Sequence, residues 1–102
     1  MFFGSTSDFQ NLATQIPNTA SMVVIRLGRM QYMDQSGLYV MEDMLLDLKN
    51  KNIDVIFVNV LEQPRYMMER IDIIPDLISE ERIFKNFNDC MLWIKQNVNE
   101  KE

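Results

Sequence analysis

Met33-Asp34-Gln35-Ser36-Gly37-Leu38 is the stretch from which the fold of this chain can be read. An apolar run, Met22-Val23-Val24-Ile25-Arg26-Leu27, and a short connection from Gly28 to Tyr32 precede it. It opens into a run of helix-favouring residues from Leu38 to Lys51. There Leu38, Met41, Leu45 and Leu48 fall on one face, with Asp43, Asp47 and Lys51 on the other. The order is strand, loop, helix, with the first backbone amides of the helix open towards the loop. Ser36 is the expected N-cap, because a serine hydroxyl accepts from an amide two or three residues on. Asp34 just upstream, with Glu42 and Asp43 in the early turns, complements the positive end of the helix dipole. Ligands and partners of α/β sheets bind where strands hand over to such loops. The surface around residues 34 to 37 is therefore expected to take part in whatever the domain does.

The same alternation continues outward from this centre. Downstream, Ile53 to Val60 is the strongest strand signal, an apolar run broken by Asp54 and Asn59. A near-continuous run of this kind predicts a strand covered on both faces. Pro64 suits the first turn of a further helix, with Tyr66, Met67, Arg70 and Ile71 at helical spacing. Pro75 opens a short turn over Asp76 to Ser79, and Arg82-Ile83-Phe84 reads as an edge strand. Asn86 or Asn88 begins a last helix whose apolar stripe is Phe87, Cys90, Met91, Ile94 and Val98, before the polar tail Asn99 to Glu102. Trp93, one position off that stripe, reads as a flank of the core or as part of an exposed docking patch.

Upstream, Ser5-Thr6-Ser7-Asp8 has capping-box spacing, and Phe9, Leu12, Ala13 and Ile16 predict a helix that Pro17 ends. Met1-Phe2-Phe3-Gly4 looks like the tail of a strand, which suggests a polypeptide that continues upstream. Strand and helix alternate about four times with no internal repeat. That pattern predicts a single α/β domain over residues 1–102, with a mostly parallel central sheet of about four strands and helices packed on it.

Composition narrows the function. A chain of 102 residues buries roughly two-thirds of its unfolded surface. With 47% apolar and 25% charged residues it has the balance of a globular domain. No apolar run approaches the ~18 residues of a membrane span. The net charge of -5 argues against a nucleic-acid partner, which calls for a basic stripe. There is no histidine, so Ser-His-Asp and Cys-His catalysis are excluded along with the commonest metal ligand. The single cysteine, Cys90, forms neither an internal disulfide nor a cysteine zinc site. No cofactor, metal or enzymatic activity is expected. The nine methionines are read as filler of irregular core space.

The chain resembles the STAS domain family (sulfate transporter and anti-sigma factor antagonist), most of all the domain that ends SulP-type anion permeases. Four features carry the resemblance: Phe2-Phe3-Gly4, the strand Val23-Val24-Ile25-Arg26-Leu27, the loop Met33-Asp34-Gln35-Ser36-Gly37-Leu38, and Arg82-Ile83-Phe84 followed by Phe87 and Asp89. The family usually has a further strand or hairpin before the position of Phe2, absent here. The resemblance implies a STAS-like fold and a regulatory, partner-binding role in an anion transporter, on the cytoplasmic face of the plasma membrane. The implied partners are the membrane domain of the same transporter, another cytoplasmic protein or a second copy.

Stand-alone antagonists of the family carry a phosphorylated serine at the position of Ser36, so Ser36 is either a helix cap or a regulated phosphoacceptor. Asp34 either positions a partner or orders its own loop. Gly37 admits close backbone approach or a relaxed helix entry. Glu62-Gln63-Pro64-Arg65 follows the second strong strand and is expected at the same end of the sheet as Ser36. The candidate partner or ligand loop therefore comprises Asp34, Gln35, Ser36, Gly37, Glu62, Gln63 and Arg65. Arg65 is either a solvated surface charge or a holder of an anion or nucleotide phosphate. The alternatives to a transporter domain are a free-standing antagonist switched at Ser36, and a nucleotide or anion sensor.

Overall fold

A computed structural model describes residues 2–3 and 20–97. Among these residues the strands are β1 (Phe2–Phe3), β2 (Met22–Arg26), β3 (Asp54–Val58) and β4 (Ile83–Phe84), and the helices are α1 (Gln35–Asn50), α2 (Glu62–Arg70) and α3 (Phe87–Asn97). The four strands form one sheet in the order β1-β2-β3-β4, and every pairing is parallel. Val24 lies opposite Phe2 and Ile56, and Phe57 lies between Ile25 and Ile83, so β2 and β3 are the interior strands. The helix expected between Ser5 and Ile16, Gly4, Val98 and the polar tail lie outside the described residues.

The absence of alternation in β2 and β3 has a direct cause. Val23, Ile25, Val55 and Phe57 enter one buried cluster with Leu38, Met41, Leu45 and Leu48 of α1 and Met68 of α2. Val24, Ile56 and Val58 point the other way, into a smaller cluster with Cys90, Phe87, Trp93 and Ile94 of α3. Both faces are covered, so every buried position of the two strands is apolar, and the charged residues Arg26 and Asp54 stand at strand ends. Five methionines, Met30, Met33, Met41, Met44 and Met68, lie in the larger cluster, where an unbranched side chain fills uneven space.

Helix α1 begins at Gln35, two residues before the start that a cap at Ser36 implies, and Gly37 as well as Leu38 is buried on its inner face. It ends in a Schellman turn. The Asn52 amide donates to Lys49 O at 3.0 Å and the Ile53 amide to Leu48 O at 3.0 Å, with Asn52 left-handed at φ 60°. Asparagine tolerates this conformation better than other non-glycine residues. Asn52→Ala is expected to cost about 1 kcal/mol and Asn52→Gly to be neutral or stabilising, read from urea midpoints.

Two details differ from the sequence pattern. The turn assigned to Asp76–Ser79 begins earlier, as a kinked turn over Ile73–Leu77 in which Ile74 is extended (φ -103°, ψ 120°). Asp72, left-handed at φ 63°, turns the chain after α2 so that Ile73, Ile74 and Ile78 enter the core. In α3, Met91 leaves the inner stripe and is 40% exposed, while Trp93 packs against the smaller cluster as a core flank. The Arg82 guanidinium stacks 4.5 Å from the Trp93 ring on that side.

Candidate functional site

Strands β2 and β3 release their loops at one end of the sheet, and pairing runs one residue past β2 as Leu27 N–H donates to Val58 O at 2.8 Å. From there the connection is pegged at every third residue by a buried apolar side chain, Leu27, Met30 and Met33. The peg at Met33 fixes where the next residue starts the helix.

That residue is Asp34. Its backbone is extended (φ -85°, ψ 177°), its carboxylate accepts from the Gly37 amide at 2.7 Å, and its carbonyl accepts the first helical bond from Leu38 at 2.9 Å. Asp34 is therefore the N-cap, and the assignment of that role to Ser36 is corrected. Serine and aspartate cap equally well, so residue type alone does not choose between positions two apart. Burial of Met33 and Gly37 does, by bringing the first helical turn forward. Ser36 is exposed in that turn, in the second helical position, and Gly37 takes no positive φ. Asp34→Ala is expected to cost about 0.5–2 kcal/mol. Ser36→Ala is expected to stay within about 0.5 kcal/mol of the parent, as exposed substitutions do, in the same unfolding titration.

The first turn of α2, just past the loop after β3, reaches this corner through Gln63. Its side-chain oxygen accepts from the Met33 amide at 2.7 Å, and its side-chain nitrogen donates to the Met33 carbonyl at 3.0 Å. One amide side chain thus completes both backbone groups of the residue before the cap, as a neighbouring strand would. Pro64 is buried in the first turn of α2, where the missing N–H costs nothing. Glu62 is exposed in the same turn, where its charge suits the helix start.

Arg65 lies elsewhere. Its guanidinium donates to Glu69 at 3.0 Å and to Glu80, linking α2 to the short turn Glu80–Arg82. The bond to Glu80 raises its pKa above the usual arginine value, with burial opposing and Glu69 assisting. An anion at Arg65 would have to displace two carboxylates.

The structure therefore unites Asp34, Gln35, Ser36, Gly37 and Gln63 around Met33, and sets Arg65 apart. It also adds a rim that the sequence reading missed. Tyr32 is 70% exposed beside the cap, and Tyr39 is 48% exposed one turn into α1, where its hydroxyl accepts from the Gln35 amide nitrogen at 2.9 Å. Tyr66, also exposed, follows Gln63 by one turn of α2. The available signal was Tyr39 itself, an aromatic four residues from Gln35 and off the apolar stripe. Among the described residues no cluster of three acidic, cysteine or histidine side chains is arranged to hold a metal ion. Among them, too, no helix is long and apolar enough to cross a membrane.

Comparison with known proteins agrees with this architecture. A sulfate transporter family protein from Wolinella succinogenes superposes with a TM-score of 0.82 at 15% identity, over 96% of this chain and 86% of that one. The STAS domain of a SulP transporter from Vibrio cholerae superposes with a TM-score of 0.79 at 16% identity, over 97% of this chain and 82% of that one. At such identities the likeness is one of fold. No curated protein matches the sequence. The family model of the STAS domain matches residues 1–90, a span that takes in the sheet, the capped loop and the Gln63 clamp. The chain belongs to the STAS domain family.

Proposed function

We propose that this chain is the cytoplasmic regulatory and interaction domain of a SulP-type transporter of sulfate or a related anion, with no catalysis of its own. The observation that carries the reading is the corner at the ends of β2 and β3. A rigid, capped helix start presents Gln35 and Ser36 between two exposed tyrosines, and Gln63 holds it from behind. Tyrosine-rich, pre-ordered surfaces suit protein partners, because they give contact area at low entropic cost. The partner of this corner is the membrane domain of the same polypeptide. The fold shared with a SulP transporter's STAS domain supports that choice. The corner offers an aspartate committed to capping and an exposed serine with no histidine in the chain, which suits recognition rather than chemistry.

One observation favours a second reading, an antagonist switched by phosphorylation. Ser36 is exposed in the first turn of α1, where a phosphate gains from the helix dipole and is opposed by Asp34.

The deciding experiment is anion uptake into vesicles by the full-length polypeptide, with this domain present or deleted. Impaired or deregulated uptake, with the membrane domain still folded, supports the transporter reading. Unchanged uptake, or a natural gene without membrane spans, overturns it, and kinase-dependent modification of Ser36 in such a gene product would establish the second reading.

A further inference from the structure

The two faces of the sheet are covered very unequally by the described residues. On one, α1 alone buries six residues, Gly37, Leu38, Met41, Met44, Leu45 and Leu48. On the other, α3 buries one, Cys90, while Phe87, Trp93 and Ile94 are only half-buried. Two arginines and a phenylalanine ring add to this attachment. Arg26 stacks 4.6 Å from the Phe87 ring near the start of α3, and Arg82 stacks 4.5 Å from the Trp93 ring further along. Phe84 adds a tilted ring contact to Trp93 at 5.9 Å. Contacts of this type at exposed sites hold weakly.

The helix is also self-contained at its start. Asn86 caps it through the Asp89 amide at 2.8 Å, so it keeps its first turn without help from the sheet. Lys85 and Asn86, both exposed, join it to β4 and form the natural hinge. Beneath it Val24, Ile56 and Val58 make an apolar strip across β2 and β3.

We infer that α3 is a strap that lifts off the sheet as a unit, about the Lys85–Asn86 hinge, without unfolding of the rest of the domain. Lifting uncovers the Val24, Ile56 and Val58 strip while the core beneath α1 stays closed. Segments with few buried contacts and exposed anchors open this way, at free energies below that of global unfolding. The inference is independent of the transporter reading, since it concerns the opposite face of the sheet from α1.

Cys90, the chain's one cysteine, reports the motion. Burial shields its thiol and pushes its pKa up, so the closed form is slow to react. The test is labelling of Cys90 by an aromatic disulfide reagent in the intact 102-residue chain across low urea concentrations, with amide hydrogen exchange in parallel. Labelling at least tenfold faster than global unfolding allows is expected, with a urea dependence less than half the global one. The amides of α3 are expected to exchange in that same step, ahead of those at Leu45, Leu48 and Val55 to Val58. The strap is refuted if Cys90 reacts only with the free energy and urea dependence of global unfolding, or if α3 amides stay protected as long as those of β3.

Discussion

Phe57→Ala is expected to lower the unfolding free energy by about 3–5 kcal/mol, the largest single-residue effect in this domain. Phe57 is fully buried in β3, with Ile25 beside it in β2 and Ile83 in β4. Its ring reaches the larger cluster, where α1 is packed against the sheet and cannot collapse onto an alanine. The cost therefore includes the cavity as well as the lost transfer free energy. Domains of this size hold about 5–15 kcal/mol in total, so the variant should melt near ambient temperature or fail to accumulate. Urea unfolding followed by circular dichroism measures it. A loss below about 1 kcal/mol would mean that β3 is not interior.

The second large effect is expected at Gln63. Gln63→Ala leaves the Met33 amide and carbonyl without their partners in a half-buried site, at a cost of about 1–3 kcal/mol. Gln63→Glu keeps the acceptor for the amide but loses the donor to the carbonyl and sets a charge against it, so it should not rescue. In both variants the Met33 amide should lose its protection from hydrogen exchange, while those of β3 keep theirs. Parent-like midpoints in both would show that the two loops are not clamped.

The sheet was legible for a local reason. Val55 to Val58 is buried on both faces, and a strand in that position writes its burial into consecutive residues. The stripe of α1 was legible because five of its buried residues, Leu38, Met41, Met44, Leu45 and Leu48, face one cluster. The cap was misread because Asp34 and Ser36 both carry good capping side chains, and the choice between them rests on burial of Met33 and Gly37. The role of Gln63 could not be read locally, since its partner lies thirty residues away. Met91 left the expected stripe for a similar reason, while Trp93 took the core-flank position that was one of its two readings. Periodicity ranks residues by angle, whereas α3 settles where Arg82 and Phe84 offer a ring contact. Arg65 looked available only until Glu69 and Glu80 were brought to it.

The central claim is that the corner around residues 34 to 37 is where this domain acts on a transporter. The most direct test is anion uptake into vesicles by the full-length polypeptide carrying Ser36→Arg, a change on an exposed side chain that takes no part in the cap. The isolated domain with this change should lose no more than about 1 kcal/mol, the cost of a cation in the first turn of a helix, because Asp34 and Gln63 still order the loop. Uptake altered at least severalfold, with the domain still folded, is the predicted result. Uptake identical to the parent, both for Ser36→Arg and for Tyr39→Ala on the same rim, would contradict the claim.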